Sequence, residues 1–332
     1  MKRQLVRLAS TAFPQWIGRA LAGRFLPIFM LHRYVDEQGS PYTDRIDVLR
    51  RQLQYVRDRG YRPLRLLELV RSLDQGTPLP PRSVVFTADD GFFDQAEILG
   101  PLFAEFDIPF TCFVITDFLD GKLWSWDDHM VYALGKTRKP LVELILPDNS
   151  SFRFDTRIFF KPQIRKLRQA LKSGDQTHIY GWLEDLYHAA EVDRPEKTPP
   201  AYRPMTWEQA AELIRMGHDI APHTRSHRIL SRLSDEDAEQ EILESWEVLQ
   251  QRLPDSIPVF AYPTGRAQDF TRRDRDTVER SDMIGAVSTI PEAMTPASDR
   301  YALPRYGMPH DMTDFIQYLD WIEVIKDRFR RH

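Results

Sequence analysis

The chain has 332 residues, with 45 Lys and Arg against 49 Asp and Glu, a net charge of −4 and a pI near 6.2. Nothing in that balance suggests a nucleic-acid binder. Cys112 is the only cysteine, which excludes an intrachain disulfide and any cysteine-based zinc cluster, and the length allows one large α/β domain or two smaller ones.

The first 25 residues, "MKRQLVRLASTAFPQWIGRALAGRF", carry Lys2, Arg3, Arg7, Arg19 and Arg24 and no acid. Pro14 and Arg19 interrupt any leader core, so no cleaved signal peptide is expected. Leu5, Leu8, Phe13, Trp16, Ile17, Leu21 and Phe25 supply an apolar side opposite those cations. Such a segment suits a helix lying on an anionic membrane surface or one packed on the protein body. No apolar run reaches the roughly 18 residues needed to span a bilayer. The expected setting is the cytoplasm, with peripheral contact to the inner membrane face through residues 1–25.

From residue 26 to 332, short apolar runs alternate with helical periodicities, the pattern of an α/β fold. "LPIFMLHRY" (26–34) reads as a first strand, and Ile46, Leu49, Leu53 and Val56 mark a helix closed by Gly60. "SVVFTA" is a buried strand. "AEILGPLFAEF" is a helix that must bend or restart at Pro101. "PFTCFVIT" (109–116) is a third strand. Regularity then lapses over 123–204, with Trp124 and Trp126, a hairpin at "VELILPDNSSFRF", two helices and a proline-rich close, which reads as an insertion. After it, Thr206 and Gln209 form a capping box, and "HDIAPH" ends a strand. A long helix starts at Ser234, and "IPVFAYP" is a strand. A helix over 271–280, the strand "IGAVS" and a helix from Thr313 complete the chain.

Three strand ends carry chemistry: Asp89-Asp90-Gly91, His223-Thr-Arg-Ser-His227 and Tyr262-Pro263-Thr264-Gly265. In parallel α/β folds functional side chains converge at such ends. His223 and His227, spaced i and i+4, would project from one side of a helical turn toward one ion. The residues between them lack the glutamate of a zincin, so the site must import its carboxylate. Of Asp89 and Asp90, one could ligate the metal and the other remain free as a general base. A solvated turn and two capping histidines are the plainer account of each motif taken alone.

"FTADDG", "HTRSH" and "FAYPTG", in this order, resemble the polysaccharide deacetylase family, the NodB-homology domain of carbohydrate esterase family 4. "IFMLHRY" is similar to the first strand of its poly-N-acetylglucosamine deacetylase branch. The resemblance covers residues 26–117 and 205–310. It implies a distorted (β/α) barrel carrying the inserted α+β segment. It also implies a metal-dependent hydrolase that removes N-acetyl groups from amino sugars of a glycan. By that resemblance Asp89 is the catalytic base, and Asp90, His223 and His227 bind one divalent ion, zinc foremost, with cobalt or nickel as alternatives. The Tyr262 N–H becomes an oxyanion donor, and the Tyr262 ring borders the sugar.

The pattern departs from the family in two places. No arginine precedes Pro263 to orient the base; Arg266 or Arg305 could approach instead. The late Leu-x-His reads Leu303-Pro304-Arg305, so the usual general acid is missing and His32 is the best replacement. Leu303, Arg305, Trp124 and Trp126 are carried as candidate sugar contacts, the tryptophans by stacking on pyranose faces. Two further readings stay open: a deformylase or O-deacetylase on a lipid- or nucleotide-linked sugar, and a catalytically silent glycan-binding module.

Overall fold

The computed structural model describes residues 12–36 and 38–330. Along the chain, β1 (Ile28–Leu31), β2 (Arg62–Pro63), β3 (Ser83–Ala88) and β4 (Thr111–Val114) precede an antiparallel hairpin, β5 (Leu141–Ile145) and β6 (Ser151–Asp155). β7 (Asp219–Pro222), β8 (Val259–Ala261), β9 (Gly285–Val287) and β10 (Tyr306–Gly307) follow.

Outside the hairpin every strand pair is parallel. One sheet runs β10-β1-β3-β4-β7, with β2 against the start of β3, and β8 pairs β9. Sparse contacts join the two sheets. The Ile257 N–H donates to the Ile220 carbonyl at 2.8 Å, linking β7 to β8. Val287 bridges Leu303 in parallel sense, and three residues later Tyr306 pairs with Phe29. The strands thus trace a ring that returns to β1, a distorted (β/α) barrel whose seams rest on few hydrogen bonds.

Side-chain alternation assigns each strand two faces. One set, including Phe29, Phe86, Cys112, Ile220 and Phe260, packs in the same core as the helices Thr43–Asp58 and Asp235–Arg252. The other set, Ile28, Val85, Phe113, Ala221, Val259, Val287 and Leu303, fills the barrel and meets Leu66, Leu69 and Val70 of the helix Leu66–Asp74. All six residues of β3 are buried, as expected for a strand covered on both faces. The bend anticipated at Pro101 takes the form of a π-helical turn, Gln95–Leu99, running into the helix Gly100–Glu105.

Residues 126–192 build a separate apolar core from the hairpin and the helices Trp126–Lys136, Phe160–Ser173 and Trp182–Ala190. The tip before Phe160–Ser173 leaves Phe159 88% exposed.

Part of the N-terminal expectation concerns residues 1–11, which lie outside the described residues. The helix Ala12–Ala22 rests on the C-terminal helix Trp321–Arg330, with Gly18 so close to the Trp321 ring that a Cβ would lie 2.1 Å from it. Arg19 turns inward, its Nε 3.0 Å from Asp320 and its Nη2 donating to the Tyr61 hydroxyl at 3.2 Å. Ile17 and Leu21 face outward. In this part of the helix the cation seeks a buried carboxylate, so the expected arrangement of cations outside and apolar groups opposite is corrected. Among the described residues no helix is long and apolar enough to cross a membrane.

Both halves of the predicted capping box form at the helix Trp207–Arg215: the Thr206 hydroxyl accepts the Gln209 N–H, and the Gln209 side chain accepts the Thr206 N–H. Thr206→Ala should lower the unfolding free energy by about 1 kcal/mol in a denaturant titration.

Candidate active site

Strand parity places the site. Val85, Thr87 and Asp89 share the inward face of β3 and its extension, and Leu303 and Arg305 share the inward face beside β10. Asp89 and Arg305 therefore meet inside the barrel. Arg305 donates from Nη1 to Asp89 Oδ1 at 2.7 Å and from Nη2 to Oδ2 at 2.8 Å. Its Nε donates to the Ser288 carbonyl at 2.8 Å, and Nη1 also reaches the Thr87 hydroxyl at 2.9 Å. Both partners are buried. Burial pushes the Asp89 carboxyl up, but Arg305, His223, the Arg305 hydrogen bonds and His32 together outweigh it and hold the group down at about 2.

Asp90 has the opposite parity and reaches the site only through a left-handed backbone, φ +88°, continued by Gly91 at +84°. A Cβ on Gly91 would also lie 2.9 Å from Leu119 Cδ1. The turn is braced by Gln95 of the π-helical segment. Its Oε1 accepts the Gly91 N–H at 3.2 Å and its Nε2 donates to the Asp89 carbonyl. A π-turn beside a functional strand end is a recurrent device.

His223 continues the inward face of β7 and donates from Nδ1 to the Ala261 carbonyl at 2.7 Å, which leaves Nε2 as a lone-pair donor. No helical turn joins it to His227. The intervening loop is reversed by Thr224 (φ +64°) and His227 (φ +58°), so the expected helical spacing is corrected to a strained loop. Buried Glu241 pins that loop, accepting the Ser226 N–H at 2.9 Å and Arg228 Nε at 3.0 Å.

The outcome is convergence. His223 Nε2 and His227 Nε2 lie 3.6 and 3.5 Å from Asp90 Oδ1, and the three ligand atoms all fall within 4.8 Å of one another. Burial is the largest influence on both imidazoles, pushing His223 down to about 4 and His227 down to about 3. Both are neutral near pH 7, the state in which imidazole ligates a metal. Two neutral nitrogens and one carboxylate oxygen fit a divalent ion of the zinc type.

A groove of about 750 Å³ opens over these residues, bordered by His32, Asp89, Asp90, His223, His227 and Thr264 among others. A family model for polysaccharide deacetylases matches residues 76–279. The chain belongs to the polysaccharide deacetylase family. It is accordingly a carbohydrate hydrolase that deacetylates a polysaccharide. Among solved structures it is similar to the Streptococcus pyogenes deacetylase PplD in complex with acetate, at 18% identity over 90% of this chain and 98% of that one, TM-score 0.57. It is likewise similar to IcaB from Ammonifex degensii, at 16% identity over 91% and 98%, TM-score 0.57. A de-N-acetylase from Aggregatibacter actinomycetemcomitans shares 14% identity over 85% and 94%, TM-score 0.53. Likeness at this identity speaks to the barrel fold. No curated protein matches the sequence.

Several candidate contacts of this deacetylase lie elsewhere than expected. The Tyr262 N–H is spent on the Val287 carbonyl at 3.3 Å in the β8–β9 ladder. Its ring is buried, stacked on Phe270 at 4.0 Å, with the hydroxyl donating to the Tyr301 carbonyl. Tyr262 therefore offers neither an oxyanion donor nor a sugar platform. Leu303 is barrel core, and Arg305 is sealed beneath Asp89 with its donors engaged, so neither touches a sugar. Trp126 belongs to the insertion core, and Trp124 is buried against His129 and Tyr202. Their neighbours Ser125, Asp127 and Asp128 border the groove instead. Trp126 is drawn into the insertion's own core, and Trp124 into a smaller cluster with Phe92, Ile115 and Phe118.

Among the described histidines, only His32 joins the ligand pair at the groove. His129 is buried on Tyr187, its Nδ1 2.9 Å from the hydroxyl. Sequence reasoning missed the brace Gln95 and the ion pair of Arg33 with Asp128, which ties the first strand end to the insertion. Neither has a local signal, since each partner is supplied from a distant segment.

Arg305→Met would leave a buried carboxylate unpaired and should cost about 3–5 kcal/mol in equilibrium unfolding. Without that cation the Asp89 carboxyl rises. The acid limb of the pH–rate profile should then move to higher pH, whereas an unmoved limb would separate Arg305 from the base.

Proposed function

We propose that this deacetylase hydrolyses the N-acetyl group of an amino sugar within a glycan, with Asp89 as general base. One divalent ion would be held by Asp90, His223 and His227. The supporting observation is that the three ligand atoms converge in the same groove that Asp89 borders. Bound there, zinc, or cobalt or nickel in its place, supplies a Lewis acid that acidifies a water and polarises the amide carbonyl.

The chain's own groups carry the protons. Asp89, kept ionised and oriented by Arg305, takes a proton from the attacking water. As the C–N bond breaks, His32 gives a proton to the leaving amine, releasing acetate and a free amino sugar. The carbonyl oxygen needs a backbone donor. Tyr262 N–H is engaged and Pro263 has none, so the first N–H after β8 that borders the groove is that of Thr264 (φ +60°). The guanidinium beside the base, which the sequence left unfilled, also speaks for turnover over silent glycan binding, because a binding module has no use for an oriented base.

Asp89→Asn should retain metal by elemental analysis yet lose about 10²–10⁴-fold in acetate release from N-acetylglucosamine oligomers. Asp90→Ala and His227→Ala should lose metal and activity together. Acetate release by Asp89→Asn at the parent rate would sink the base assignment, and formate release from N-formyl oligomers with no acetate from N-acetyl ones would redirect the acyl specificity.

His32→Gln should lower acetate release by about 10²–10⁴-fold while binding of product glycan stays unchanged. Acetate release at the parent rate would remove His32 from proton transfer.

A further inference from the structure

The groove holds positive charge that amide hydrolysis does not use. The insertion helix Phe160–Ser173 turns Arg165, Arg168, Gln169 and Lys172 toward it, positions i, i+3, i+4 and i+7 of one stripe. Across the opening, the barrel loops after β7 and β8 contribute Arg232 and Arg266. Arg168 is paired with Asp127 at 2.7 Å, and Arg33 with Asp128. Arg165, Lys172, Arg232 and Arg266 have no ion pair among the described residues. The carboxylates of the groove are otherwise engaged: Asp127 by Arg168, Asp128 by Arg33 and Asp89 by Arg305, with Asp90 beside the two histidines, while Asp269 is buried, with Oδ2 accepting the Arg266 N–H at 3.0 Å.

With Arg168 and Arg33 offset by Asp127 and Asp128, four cations without an ion-pair partner gather around one opening in a chain whose net charge is −4. Arg165, Arg232 and Arg266 are exposed, so their donors are open to an incoming anion. Lys172 is the half-buried member of the set, and burial pushes its ammonium pKa down. The helix stripe and the barrel loops come from independent segments, so one helix's solvated face does not account for the set. Guanidinium and ammonium donors facing one another across a cleft match a tetrahedral oxyanion.

We propose that the substrate is a phosphate-bearing acylated amino sugar, its phosphate held between Lys172 and Arg165 of the insertion and Arg232 and Arg266 of the barrel. This rests on the deacetylase reading for the sugar and adds the anion. The insertion then serves as one jaw of a subsite, with the triad and Asp89 below it. A phosphate carried on a lipid and one on a soluble sugar would present the same group here.

The test is binding, independent of turnover. Calorimetry on the metal-loaded protein compares N-acetylglucosamine 1-phosphate, its long-chain alkyl phosphodiester and the neutral methyl glycoside. The phosphorylated sugar should bind about tenfold tighter than the neutral one, and the preference should fall with salt. In Lys172→Ala/Arg266→Ala the preference should collapse. If that variant misfolds by circular dichroism, Arg165→Gln/Arg232→Gln, both on exposed side chains, takes its place. The alkyl phosphodiester distinguishes a lipid-linked source from a soluble one. Equal binding of phosphorylated and neutral sugars overturns the proposal, as does a preference that survives both pairs of substitutions. A phosphate preference that collapses as expected, with acetate released from no sugar, upholds the anion site and counts against the deacetylase reading.

Discussion

Inside the barrel, Arg305 and Asp89 share two parallel hydrogen bonds, and neither side chain reaches solvent in any appreciable degree. Taking both charges out of water is expensive, and their attraction repays that only because the geometry is bidentate and the remaining donors are used. Ser288 and Thr87 supply those remaining partners. The pair thus joins β3 to the segment that closes the ring, and it fixes a carboxylate in ionised form at the floor of the groove. Stability of the seam and readiness of the base are one interaction.

Above that floor the backbone is strained where the ligands meet. Asp90, Thr224, His227 and Thr264 all have φ between +58° and +88°. Left-handed non-glycine residues cost roughly 1–3 kcal/mol each, most for a β-branched residue such as threonine. The surroundings over-determine them: Gln95 holds the first loop, and Glu241 the second. A regular turn would send Asp90 away from the histidines. The strain is what lets residues of opposite parity face one ion position.

The insertion solves a different problem. Trp126 and Trp182 are taken by its own core and Trp124 by a smaller cluster with Phe92, Ile115 and Phe118, while the helix Phe160–Ser173 lines one wall of the groove with its polar stripe. Arg33 and Asp128 tie that wall to the first strand end. The reaction centre is therefore built by the barrel, while the insertion sets the charge of the opening above it.

Much of this was legible in the sequence because it is local. The alternating runs, the capping box, the hairpin turn and the three polar strand ends are each written within a few adjacent residues, and period-two alternation carries Asp89 and His223 to the inward face. Tyr262, Trp124 and Trp126 were misplaced because an aromatic's sequence neighbours do not say whether it meets a sugar or a core. Arg305 lies 216 residues from Asp89, just before a two-residue strand that follows a proline and has no hydrophobic run to announce it. The sequence by itself determined the fold class, the family and which residue types could hold a metal. Only the tertiary structure decided which arginine orients the base and how Asp90 reaches the histidines, because ring closure and loop strain are set by pairings between segments that share no local pattern.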